Sequence, residues 1–170
     1  TKLAVAPSAP DIAYARVVTD DDRHLGVFRC RNARATPART MAWQRLADHH
    51  DFVAEGQGQF NLCIAVSPTD PGLVATGMVD LHVSDVADAA DPAAVRWRRA
   101  ISWELWTAVR GHHADQHAAV VTAAGDLLVA NDGGIVRSSD WATVAEVARL
   151  LPLDVGAITW RRCDEGIAGG

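Results

Sequence analysis

Ala130-Asn131-Asp132-Gly133-Gly134-Ile135-Val136-Arg137-Ser138-Ser139-Asp140, preceded by the apolar run Leu127-Leu128-Val129, is the stretch that decides the fold. Asn-Asp-Gly-Gly between two β-type runs predicts a hairpin, because Asn, Asp and Gly tolerate the positive φ that such turns use. The second run ends in Ser-x-Asp. Both halves of this pattern recur earlier in the chain, so the recurrence carries the fold prediction.

Leu3-Ala4-Val5-Ala6-Pro7-Ser8-Ala9-Pro10 with Asp11-Ile12-Ala13-Tyr14 matches Ile64 to Ala75 at an offset of 61. Each reads as strand, Pro-bounded turn, strand; proline suits the turn because its φ is preset and its missing N–H costs nothing there. A third copy, Ala118 to Val121 followed by Leu127 to Ala130, aligns with the second at an offset of 54, with Ala123-Ala124-Gly125-Asp126 as its turn. Each copy continues into a third run ending in Cys30, Ser84 or Ser138. A fourth run carries a Trp (Trp43, Trp97, Trp160), spaced 13, 13 and 22 residues from that Ser or Cys.

Three units of four short strands, at about 1–47, 60–102 and 115–163, predict an all-β chain. Four strands in roughly 40–50 residues is the content of a β-propeller blade. Three blades leave open sides, so one partial propeller domain over 1–170 is expected, completed by remaining blades or by a second copy of the chain. Within the last unit, Val144, Val147, Ala148 and Leu151 lie at helical spacing between Asp140, a candidate N-cap, and Pro152. They predict a short helical insertion near 141–151. Thr1-Lys2-Leu3 already reads as strand, which suggests a processing boundary, and residues 163–170 read as the loop into a further unit.

The 170 residues are 49% hydrophobic, enough for a packed core, with a formal charge of −5. That balance argues against a nucleic-acid partner, which requires clustered Lys and Arg. Arg96, Arg98, Arg99, Arg161 and Arg162 flank tryptophans and read as solvated edges. No run reaches the roughly 18 apolar residues of a membrane span. Cys30, Cys63 and Cys163 have neither metal spacing nor an even number, so no disulfide framework is implied, and Cys63 reads as a small core residue. No cofactor motif is present.

Gly56-Gln57-Gly58-Gln59-Phe60-Asn61-Leu62-Cys63 with Ile64 to Pro71, then His113-Ala114-Asp115-Gln116-His117-Ala118, then Asn131 to Ser138, together resemble the Asp-box (BNR-repeat) propellers of bacteria. These are similar in architecture to sialidases, xyloglucanases and the luminal domain of sortilin. The resemblance spans nearly the whole chain and implies the fold and export, to a secreted or periplasmic location. It says little about activity, since this propeller hosts hydrolases, lectins, receptors and assembly factors. The family's box, Ser-x-Asp-x-Gly-x-x-Trp, survives only as Ser138-Ser139-Asp140; it has become Cys30-Arg31-Asn32 and Ser84-Asp85-Val86 in the other units. The sialidase set of three arginines with Tyr and Glu is not visible, and Tyr14 is the sole tyrosine.

Blade geometry places the loop entering strand one beside the loop joining strands two and three. In the third unit that brings His112, His113, Asp115, Gln116 and His117 towards Asn131 and Asp132. The second unit has Gln57, Gln59, Asn61, Gly77 and Met78 there. His113, Asp115, Gln116, His117, Asn131 and Asp132 are therefore the candidate ligand-binding residues. His113-x-Asp115-x-His117 puts alternate side chains on one face of an extended segment, a pattern for a divalent metal. Asp115 and Asp132 are the candidate acid and base of a glycoside hydrolase. Against these, Asp132 can simply cap its turn and His117 can be a core histidine.

Trp43, Trp97 and Trp160 are expected to pack between units. Trp103 and Trp106 lie off the repeat, as a loop anchor or a sugar-stacking platform. Asp20, Asp21 and Asp22 read as a solvated loop or, alternatively, a calcium site. The favoured function is a non-enzymatic binding or scaffold module presenting a surface to a protein or carbohydrate ligand. A fragment of a secreted glycoside hydrolase is the alternative, and its carboxylate pair lacks a second recognisable catalytic element.

Overall fold

A computed structural model describes residues 1–48, 52, 57–105, 107, 112–142 and 159–163. They form three four-stranded antiparallel sheets, each a meander in chain order. The first holds β1 (Lys2–Val5), β2 (Ala13–Val18), β3 (His24–Cys30) and β4 (Trp43–Arg45). The second holds β5 (Cys63–Val66), β6 (Val74–Gly77), β7 (Leu81–Ser84) and β8 (Arg98–Ile101). The third holds β9 (Ala118–Val121), β10 (Leu127–Asn131), β11 (Gly134–Ser138) and β12 (Arg161–Arg162). None of the three closes on itself. Helix is confined, among the described residues, to three short 3-10 turns, the helical pair Trp141–Ala142 and a 3-10 residue at Cys163. The insertion expected near 141–151 otherwise lies outside the described residues, and none of the described helices is long and apolar enough to cross a membrane.

Local chemistry sets each hairpin. In the first two units seven residues separate the paired ends Val5↔Ala13 and Val66↔Val74. In the third unit Val121 pairs with Leu127, across only five. This corrects the uniform offset of 54. With a turn two residues shorter, Leu127 and not Leu128 occupies the Val74 position, and Val121 occupies that of Val66. A one-residue slip moves a strand's side chains to the opposite face. Accordingly Leu127 and Val129 are fully buried, whereas Val120 is 57% exposed. In the Asn-Asp-Gly-Gly hairpin the positive φ falls on Gly134 (φ 115), opposite Asn131 and just after the turn.

The sheets stack face to face in chain order. Tyr14, Val27 and Leu46 of the first sheet pack on Ile64, Val66, Val74 and Trp97 of the second. The second sheet's other face, with Cys63, Ala75, Leu81, Val83 and Ile101, packs on Leu127, Val129, Val136 and Trp160 of the third. The middle sheet is thus buried on both sides, which is why β5, β6 and β7 are buried at every position. The third sheet is covered on one side and alternates, as β10 and β11 show. Trp97 and Trp160 sit in these seams, each 5% exposed, and each donates its indole N–H to the sheet before. The acceptors are the Ala47 carbonyl (2.8 Å) just past β4 and the Ala100 carbonyl (3.2 Å) in β8. Trp43, in the first sheet, meets no other sheet among the described residues and is 40% exposed.

Ser-x-Asp works as a clamp between the third and fourth strands. Asp140 accepts from the Ser138 hydroxyl (2.7 Å) and from the Thr159 N–H (3.2 and 3.3 Å), next to Trp160. Asn32 does the same in the first unit, accepting from Cys30 Sγ (3.1 Å) and from the Ala42 N–H (2.8 Å), next to Trp43. Cys-x-Asn therefore substitutes for Ser-x-Asp atom for atom. In the second unit Val86 has no acceptor, and Ser84 Oγ takes only the Val86 N–H at 3.2 Å.

Candidate functional site

Where the second sheet meets the third, four segments converge: residues 57–62 before β5, 77–80 after β6, 112–117 before β9, and the β10–β11 turn. Gln116 ties them together from a fully buried position. Its amide donates to the carbonyls of Val79 (2.9 Å) and His113 (2.7 Å), and its Oε1 accepts from Asn131 Nδ2 (3.4 Å). A Cβ on Gly77 would lie 2.7 Å from Gln116 Cβ, so glycine is required for this approach. Asn131 is buried too, and its Oδ1 accepts from the Gly133 N–H (3.0 Å), closing an Asx turn. Gln116 and Asn131 are thus the frame of the site, beneath its surface.

The exposed part is built on that frame. His117 Nε2 lies 2.7 Å from Asp132 Oδ1, and its Nδ1 lies 3.2 Å from the Phe60 carbonyl. Both partners are acceptors, so only the doubly protonated imidazolium donates to both at once. The Asp132 hydrogen bond first, then the Phe60 carbonyl, raises the His117 pKa above its ordinary value. The two acceptors thus favour the protonated form of His117, held by a carboxylate. The core role considered for it does not hold, since His117 and Asp132 are both exposed. Beside them Phe60 projects into solvent, 73% exposed.

Asp115 has partners of its own. It adopts φ 66 and donates its backbone N–H to the Val79 carbonyl (3.0 Å), so 113–117 is not a regular extended segment. Its Oδ1 accepts from Asn61 Nδ2 (2.5 Å), which also donates to Gln57 Oε1 (3.0 Å). His113 is half-buried, its ring packed so closely on Gly133 that a Cβ there would lie 2.8 Å from it. The two carboxylates face different partners, Asn61 and His117. Among the described residues no three His, Cys, Asp or Glu side chains gather closely enough to hold a metal ion.

Comparison with models of protein families, with curated proteins and with solved structures finds no match for this chain. The site is therefore judged on its own geometry. Sequence reasoning did not anticipate the Asn61–Asp115 bond or the exposure of Phe60. The observed register sets Asn61 at the position of Gln116, 55 residues on, so the repeat carried no signal for the first.

The remaining candidates lie elsewhere. His112 is buried, accepts the Ser102 N–H (3.1 Å) on Nδ1, and is held below its ordinary pKa by burial. Trp103 is half-exposed on a 3-10 turn anchored by its N–H to Asp80 (2.8 Å); Trp106 lies outside the described residues. Asp21 is taken up by Thr19 (2.5 Å) and Arg23 (3.1 Å). All three cysteines are free, with Cys30 and Cys63 buried and Cys163 exposed. Burial pushes the Cys63 thiol up to about 12.

Proposed function

We propose that this chain is a run of propeller blades of the Asp-box type acting as a binding module, with its ligand surface at the junction of the second and third sheets. Support for the blade assignment comes from the sheet order, from the face-to-face stacking in chain order, and from the clamp that precedes Trp43 and Trp160. Consecutive first strands also approach one another, as they do around the axis of a propeller.

One observation carries the ligand surface: Phe60, 73% exposed, adjoins the His117–Asp132 pair through its carbonyl, above the buried Gln116–Asn131 frame. An exposed aromatic residue next to a hydrogen-bonded His–Asp pair fits a carbohydrate, which stacks one face of its ring and bonds through its hydroxyls, or an exposed loop of a partner protein. Binding fits better than hydrolysis. An acid catalyst needs an enclosed, weakly solvated carboxyl to stay protonated, whereas Asp132 is half-exposed and bonded to a cation.

A glycan array probed with the chain and with Asp132→Ala and Phe60→Ala tests this proposal. Expected is a defined set of glycans bound by the wild type and lost in both variants, whose melting temperatures stay within a few degrees of wild type. Binding that survives both substitutions, or no glycan or protein ligand at all, would overturn it.

A further inference from the structure

The first sheet exposes the face that the second and third sheets bury. Leu3, Ala15, Val17, Leu25, Phe28 and Trp43 line an open apolar cavity of about 350 Å³ on it. By pairing register this is the face that carries Ile64, Val66, Val74 and Trp97 in the second sheet, where it packs on the sheet before. At the other end of the stack no described residue outside the sheet packs on the outer face of the third sheet, where Leu128, Arg137 and Arg161 lie side by side.

The seam between the first two sheets shows what joins two such faces. Arg29, fully buried, donates through Nη1 to the carbonyls of Ala87 (2.9 Å) and Ala89 (2.6 Å), in the loop after β7 of the following sheet. Trp97 answers in the reverse direction, donating to the Ala47 carbonyl. Arg137 occupies in β11 the position that Arg29 occupies in β3: each is one residue before the clamp Ser or Cys and pairs with the second strand, with Leu128 and Tyr14 respectively. The first sheet in turn owns the matching receptor. Ala33 and Ala35 stand 54 residues before Ala87 and Ala89, and their loop has the same fold. Ala33 donates to the Asp11 carbonyl (2.9 Å) as Ala87 does to that of Gly72 (3.0 Å), and Ala35 to that of Asn32 (2.9 Å) as Ala89 does to that of Val86 (3.0 Å).

We infer that the open face of the first sheet docks on the outer face of the third sheet of a second copy. Arg137 of one copy would reach the Ala33 and Ala35 carbonyls of the other, and Trp43 would enter the seam as Trp97 and Trp160 do. The contact is head-to-tail, with different surfaces on the two copies. Two copies supply six sheets, within the about four to eight of a closed ring. The inference rests on the blade assignment above and is independent of the ligand surface.

Sedimentation of the full chain over a dilution series tests it, using the wild type, Trp43→Asp on the first sheet, and Arg137→Glu on the third. Arg137→Ala is the milder substitute, because a glutamate would also oppose Asp126, the present partner of Arg137 at 2.6 Å. Expected is a two-chain or larger wild-type species, weakened at least about tenfold by either substitution. An equimolar mixture of the two variants should regain a two-chain species, because each keeps one intact surface. A wild type that remains a single chain throughout would overturn the inference. So would an assembly abolished by Trp43→Asp but indifferent to both Arg137 variants, since that is first sheet against first sheet. Trp97→Ala separates the two levels: if it destabilises a chain that never associates, the stack stands and the docking falls.

Discussion

The two seams of the stack share one geometry and differ in chemistry. Between the strands of the second and third sheets the core is apolar, with Leu81, Val83, Ile101, Leu127, Val129 and Val136 closed by Trp141 and Trp160, and polar groups gather only in the loops at one end. Between the first and second it carries charge. Arg16 is buried with its guanidinium carbon 4.2 Å from the centre of the Phe52 ring, Arg29 is buried on two carbonyls, and His24 and His82 stack edge-on against Phe52. Burial lowers the Arg16 pKa to about 10, a measure of how unfavourable its surroundings are for charge. The seams have in common one tryptophan per sheet that bonds a carbonyl of the sheet before. The tryptophan therefore defines the stacking, and the remaining side chains vary in polarity, even to buried donors on Arg16 and Arg29 that lack a hydrogen-bond partner among the described residues.

Truncating the tryptophans probes this hardest. Trp97→Ala and Trp160→Ala should each cost about 3–5 kcal/mol, since each opens a large cavity and removes the indole bond to a carbonyl, half-buried at Ala47 and buried at Ala100. Trp43→Ala, measured at dilution, should cost less than about 1 kcal/mol because its face is open. Denaturant melts of the three variants would read the difference directly. Equal costs at Trp43 and Trp97 would break the equivalence between an open and a closed face. The charged seam has its own probe: Arg29→Met should lose about 1–3 kcal/mol by stranding the Ala87 carbonyl and leaving that of Ala89 to Arg31 Nη2 (3.2 Å). Val83→Met, at the same position in the apolar seam, should lose about 1–3 kcal/mol by overpacking alone. If Arg29→Met were neutral or stabilising, those carbonyls would not depend on the guanidinium.

Much of this architecture was legible in the sequence, for identifiable reasons. Strand order followed from the apolar runs and their turn residues, and the tryptophan periodicity marked the fourth strands. What the repeat could not supply was register in the third sheet. Ala118-Ala119-Val120-Val121 is apolar at every position, so neither face is marked, and only the five-residue turn settles it. The site was half legible. His117 and Asp132 were singled out and do pair, yet Gln116 and Asn131, read as ligand contacts, are buried in the frame. Composition does not separate a polar side chain that faces solvent from one that satisfies a loop carbonyl. The Asp-box pattern also hid a chemical equivalence: Asn32 accepts the two bonds that Asp140 accepts, although the motif looks lost.

That equivalence predicts a smaller pair of effects. Asn32→Ala removes bonds between neutral groups and should cost about 1 kcal/mol, while Asp140→Ala removes charge-assisted ones and should cost about 1.5–3 kcal/mol. Burial works to raise the Asp140 carboxyl, and the donors from Ser138 and Thr159 outweigh it, leaving it below its ordinary value. A depressed acid contributes stability above its unfolded pKa and loses it as pH falls through the folded one. The Asp140→Ala deficit should therefore shrink in acid, below about pH 4, whereas that of Asn32→Ala should not change.

The smallest effect separates the exposed site from the buried histidines by sign. His117 has a raised pKa, so its contribution is complete below about pH 6.5 and disappears as pH rises through the folded value. His24 and His112 are lowered, by burial first, so the unfolded chain binds protons that the folded chain refuses. Their contribution is complete above about pH 6.5 and is lost as pH falls. Melting temperature against pH, from about 5 to 8.5, should thus show an acid-side decline that survives His117→Gln and an alkaline-side decline that His117→Gln removes. Because His117 and Asp132 are exposed, solvent screens their pair and the alkaline limb should be the shallower one. If His117→Gln flattened the acid limb instead, the imidazolium would not be the folded form. The cation beside Phe60 on which the ligand surface depends would then be absent.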